Sequence, residues 1–177
     1  MQLGKYWKFG AMILTSMIVM FAIMYLNTYS IDHVTFSETR FYMTFVMGAA
    51  MAVVMLSFML AMYSNPKINV AIYAGSALVF FLALWLVRSQ ETVHDESWMS
   101  AMIPHHSIAI LTSERANISD VRVRELADSI IEAQRREIAE MKWLLDDIAA
   151  NGEAETEAEA QARPVPEFEA SASPDPA

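Results

Sequence analysis

Chemistry-capable side chains concentrate in the run Trp98-Met99-Ser100-Ala101-Met102-Ile103-Pro104-His105-His106. It holds two thioethers, two imidazoles and half of the chain's four histidines. Thioether and imidazole together suit a soft ion, Cu(I) or Ag(I), and a carboxylate widens the choice toward Cu(II) or Zn(II). Downstream, Gln134, Glu137 and Met141 offer an amide, a carboxylate and a third sulfur. Cysteine is absent from the sequence, which excludes disulfides, thiolate metal sites and cysteine nucleophiles. Methionine is abundant at 14 residues, and the thioether is the soft ligand that remains.

These side chains need a scaffold, and the pattern predicts two helices. One runs from Glu91 to about Asn117. Ser119 or Asp120 caps a second, which runs to about Ala150 and stops at Asn151-Gly152. A link of about three residues makes the pair an antiparallel hairpin. At about 100° per residue, Met99, Met102, Ile103, His106, Ala109, Ile110 and Ser113 share one face, and His105 points about 100° to the side. On the second helix Val123, Ala127, Ile130, Gln134, Ile138, Met141, Leu145 and Ile148 form an apolar seam, with Glu137 flanking it. Antiparallel pairing sets Met99 near Ile138, Met102 near Gln134–Arg135 and His106 near Ile130–Ile131. Met99, Met102, His106, Gln134, Glu137 and Met141 then gather at one level. Methionines at helical spacing also serve as core filler. A histidine in a seam needs a hydrogen-bond partner, and Gln134 or Glu137 is placed to orient an imidazole. Pro104 removes a backbone donor and frees the Ser100 carbonyl, so a bend is expected beside the site.

Composition divides the chain. Residues 1–90 carry five Lys/Arg against two acidic residues, whereas 91–177 carry seven against 19. An acidic second half excludes nucleic acid as a partner, because phosphate binding needs a basic stripe. Three apolar runs of membrane-spanning length occupy about 7–26, 41–62 and 68–87. No small-residue cleavage site follows the first, so it reads as an uncleaved span. Tyr63-Ser64-Asn65-Pro66-Lys67 forms a tight turn with a helix breaker between the second and third. Aromatic residues near the span ends fit an interfacial belt, and lipid is the surrounding partner. Lys5, Lys8 and Lys67 inside, against Arg40 and Arg88 outside, give a cytoplasmic N-terminus and an outer C-terminal half, as in a bacterial inner membrane with a periplasmic domain. All four histidines, including His33 and His94, then lie outside. From Glu153 onward the Glu, Ala, Pro and Ser composition predicts a disordered acidic tail over 151–177.

The pattern Asp95-x-x-Trp98-Met99-x-x-Met102-Ile103-Pro104-His105-His106-x-x-Ala109, followed by Leu126-Ala127-x-x-Ile130-Ile131-x-x-Gln134-x-x-Glu137-Ile138-x-x-Met141-x-Trp143-Leu144, resembles domain-of-unknown-function family 305 over about residues 94–146. The resemblance implies a ferritin-like helical fold for residues 91–150. Some members are implicated in extracytoplasmic copper binding, which implies Met99, Met102, His105, His106 and Met141 as ligands of a Cu(I) ion. Longer members repeat the hairpin to build a four-helix bundle. This chain has one copy, and a single hairpin buries little surface, so a homo-oligomer of paired hairpins is expected.

The expected fold is all-α: a three-span membrane domain over 1–90, the hairpin and the tail. The first span carries Met12, Met17, Met20 and Met24, and the second carries Met43, Met47, Met51, Met55, Met59 and Met62. Four-residue steps drift about 40° each, so this ridge reads as helix packing as much as a metal path. The expected function is a membrane-anchored, outward-facing binder of Cu(I) or Ag(I) in tolerance or delivery, not an enzyme. Alternatives are a structural or signalling hairpin that pairs with a partner without metal, and a di-iron oxidoreductase built on Glu91-x-x-His94.

Overall fold

The computed structural model describes residues 2–169, and all regular structure in them is helical. The helices are α1 (Gln2–Ile23), α2 (Glu38–Phe58), α3 (Pro66–Ser89), α4 (Asp95–Arg115), α5 (Val121–Asn151) and α6 (Glu157–Ala162). The chain forms two compact units. Among the described residues, one comprises 2–26 and 38–93, and the other comprises 27–37 and 94–169.

The first unit contains three helices long and apolar enough to cross a membrane, Gly4–Ile23, Glu38–Phe58 and Pro66–Ser89. Their bounds differ from the apolar runs for local reasons. α1 ends early, at Ile23, and the Arg40 guanidinium donates to the Met24 carbonyl at 2.9 Å just past its end. α2 stops at Phe58, and Leu60–Met62 is a 3-10 turn. Pro66 starts α3 rather than ending a helix. Its missing N–H falls at the first helical position, where no partner is needed, and Asn65 caps the next donors, Lys67 N at 3.1 Å and Ile68 N at 3.3 Å. The buried seam of α2 is Thr44, Gly48, Ala52 and Leu56, with Ala49 beside it. The methionines at 43, 47, 51 and 55 flank that seam at intermediate burial. Small residues let α1 approach closely: a Cβ on Gly48 would overlap the Met17 thioether.

The second unit is the α4–α5 hairpin together with the loop 27–37. Its core is Met99, Ile103, Ile110, Ile138 and Met141. Asp120 caps α5 by accepting from Arg122 N at 2.9 Å, and Gly152 ends it at a φ of 80°, a value that favours glycine. α4 begins at Asp95, not Glu91. Gln90 terminates α3 in the left-handed region at φ 55°, and His94 is the extended N-cap of α4. The link to α5 is correspondingly residues 116–120.

The expected disordered tail is partly replaced by structure. Thr156 and Glu159 form a reciprocal capping box that starts α6. Arg163 fastens it to α5, donating to Asp147 at 2.6 Å and to the Gly152 carbonyl at 3.1 Å. Composition alone missed this because the anchor is one charged pair rather than an apolar pattern. The rest of the tail, residues 170–177, lies outside the described residues.

Candidate metal centre

α4 runs unbroken through Pro104, which is fully buried. The Ser100 carbonyl freed by the proline accepts from the Thr35 hydroxyl at 2.6 Å, so the loop 27–37 supplies the partner that the helix loses.

His106 is the centre of the predicted cluster, with a side chain 12% exposed. Its Nδ1 lies 2.9 Å from the Met102 carbonyl and its Nε2 lies 2.7 Å from a Glu137 carboxylate oxygen. Carbonyl and carboxylate both accept, so a ring that donates from both nitrogens satisfies both. The Gln134 amide donates to the same Glu137 oxygen at 3.4 Å. The expected level of His106, near Ile130–Ile131, is displaced toward Glu137. Helical side chains lean toward their own N-terminus. The imidazole leans back to Met102 and the Glu137 side chain leans back to Gln134, and in an antiparallel pair those two levels coincide.

The sulfurs divide. Met99 and Met141 are 4% and 5% exposed and belong to the core, while Met102 is partly buried and packs against it. His105 is exposed, its ring centroid 6.1 Å from that of His106. Val123, expected in the seam, is 48% exposed, and the buried part of α5 begins at Ala127. Glu91 lies in the turn before α4 and His94 at its cap, so the two do not share a helix face. Among the described residues no three His, Asp or Glu side chains come together to hold a metal ion.

Sequence reasoning left His33 without a role, and the structure places it against α4. The loop reaches Ser107, which is fully buried. Tyr29 N donates to Ser107 Oγ at 2.7 Å, and His33 Nδ1 lies 2.9 Å from the same oxygen. Asp32 is 3.7 Å from His33 Nε2 and is paired with Lys142 and with Ser30. Burial holds His33 below the ordinary histidine range, against the opposing effect of Asp32. The Lys142 hydrogen bond, then that of Ser30, lowers Asp32 to about 2. Serine, histidine and aspartate in sequence suggest a nucleophile, but a hydroxyl with no solvent access that accepts a backbone N–H is a structural tie. Its signal in the sequence was a serine four residues after Ile103 and three before Ile110, the spacing of one helix face.

Residues 86–172 match the family described as domain of unknown function, DUF305. An uncharacterized protein of Acanthamoeba polyphaga mimivirus is 31% identical over 145 residues, covering 78% of this chain and 93% of that protein. The chain belongs to the DUF305 family. The matched DUF305 region takes in the hairpin and α6, so the tail helix is part of the domain. The viral likeness is longer than that region and extends into the apolar half of the chain. No solved structure matches this DUF305 protein.

Proposed function

We propose that this DUF305 protein is a membrane-anchored binder of a soft ion, Cu(I) or Ag(I), with its hairpin on the extracytoplasmic side of a cell membrane, in metal tolerance or delivery. The observation that carries this reading is the convergence of Met99, Met102 and Met141 on one core cluster whose edge holds His106. The donor types fit. Met102 and His106 are the primary ligands, Met99 and Met141 the sulfurs behind them, and His105 the exposed imidazole beside them. Bound there, the ion would be held by thioether and imidazole donors, a ligand set that selects copper over harder cations. Glu137, oriented by Gln134, holds the ring in place and must yield Nε2 for that nitrogen to coordinate. Pairing of two hairpins into a ferritin-like four-helix bundle would cover apolar side chains that one copy leaves exposed, among them Val123 and Leu126.

Cu(I) competition titration of the full chain in detergent tests this. Tight binding is expected, with a fall of about 100-fold or more when His106 and Met102 are both changed to Ala. Unchanged affinity would sink it. A second reading is favoured by one observation: both ring nitrogens of His106 already have protein partners. On that reading the His106–Glu137 pair only fastens the hairpin, which binds a partner protein without metal. Absence of Cu(I) binding, together with loss of hairpin stability in Glu137→Ala, would favour it.

A further inference from the structure

At the end of the hairpin formed by the start of α4 and the end of α5, the tail folds back and encloses a cleft of about 330 Å³. Its floor is apolar: Trp98 and Met99 from α4, and Trp143, Leu144 and Ile148 from α5. The opposite wall is Ala154, Ala160 and Val165 of the tail. The wall is fixed, because the α6 capping box and the Arg163 contacts to Asp147 and the Gly152 carbonyl pin the segment down. Volume and lining are those of a small-molecule site.

The charges around the cleft have one sign. Arg163 and Asp147 neutralise each other at 2.6 Å. Asp95 and Glu153 remain, both exposed residues that line the same cleft. Two indoles with two carboxylates recognise one chemical class. Indole faces attract cations through the ring quadrupole, carboxylates add net negative potential, and the aliphatic floor takes an apolar body. Anions and neutral polar molecules gain neither. We propose that this cleft is a binding site for a small organic cation, a quaternary ammonium or protonated amine bearing an apolar group. It is separate from the His106 cluster and shares only Met99 with the proposed soft-metal ligands.

Tryptophan fluorescence of the full chain in detergent, titrated with benzyltrimethylammonium and with its neutral isostere neopentylbenzene, tests the proposal. The chain has four tryptophans, so Trp98→Phe and Trp143→Phe assign the response. A saturable change is expected with the cation, with the neutral isostere about tenfold weaker. Asp95→Asn combined with Glu153→Gln should weaken the cation about tenfold and leave the isostere unchanged. These two side chains are exposed, so the double variant keeps the fold, which circular dichroism checks. Equal affinity for cation and isostere, no saturable response, or full cation affinity in the double variant would each overturn the proposal. Cu(I) binding is unaffected by any of these outcomes, so the two sites fail independently.

Discussion

At the scale of single residues, Ser107 and His106 sit side by side on α4 and are recruited to different tasks. His106 turns to Glu137 on α5, and Ser107 turns to Tyr29 and His33 in the loop between α1 and α2. The loop contact is sensitive to acid. His33 is held below its ordinary value of 6.5 by burial, so its stabilising contribution is complete above that value and is lost as pH falls through the lower folded value. Asp32, lowered from 3.8 to about 2, has the same sign: its contribution is present above about 4 and lost as pH falls toward 2. The protection factor of the Tyr29 amide, its intrinsic exchange rate at each pH divided by the observed rate, should therefore be high at pH 8 and fall in two steps on acidification. His33→Gln should remove the upper step and keep the lower. Ser107→Ala should leave the amide unprotected at every pH, because no acceptor remains for it. A single step in the wild type at low pH would show that His33 does not govern the docking.

At the scale of elements, each helix has a cause. Asn65 with Pro66 starts α3, Asp120 starts α5, Gly152 ends it, and Thr156 with Glu159 starts α6. α4 carries an internal proline without breaking because Thr35 satisfies the carbonyl that Pro104 orphans. In the apolar unit the seam of α2 is small at Thr44, Gly48 and Ala52 and ends on Leu56, and the methionines beside it fill the flanks. Gly48 is the tightest point, against Met17. The thioether is flexible and yields in part, so Gly48→Ala should cost about 1–3 kcal/mol rather than abolish folding. Thermal unfolding in detergent measures it, and Gly75→Ala, where an added Cβ meets nothing within 4 Å, is the control. Equal stability of the two variants would mean that α1 does not pack on α2 through Gly48.

For the whole molecule, three apolar helices precede an acidic domain. If all three cross a membrane, the two ends of the chain lie on opposite sides, and the proposed orientation has the N-terminus inside. With no native cysteine, a single Glu125→Cys on the exposed surface of α5 reports topology directly. An impermeant maleimide added to intact cells should label it fully. Labelling only after permeabilisation would place the hairpin in the cytoplasm and remove the basis for an outward-facing metal binder.

The helices, the hairpin and the His106–Gln134–Glu137 grouping were all legible in the sequence, because apolar periodicity, caps and charge density are local signals. So were three helices long and apolar enough to cross a membrane, to within a few residues at each end. Three features were not. The Ser107–His33 tie joins residues 74 apart, and no periodicity links a loop between α1 and α2 to a helix that follows α3. The contact to Glu137, about two turns beyond the expected partner of His106, depends on how two side chains lean, which spacing along one helix does not encode. The ordered tail depends on Arg163 finding Asp147 across a turn, a single ion pair invisible in a composition that reads as solvated. Residue types alone determined which donors the protein offers, and the ban on thiolate chemistry with them. Only the tertiary structure decided which donors are committed to protein partners, because burial and hydrogen-bond satisfaction are properties of the assembled surfaces and not of the strip of residues that forms them.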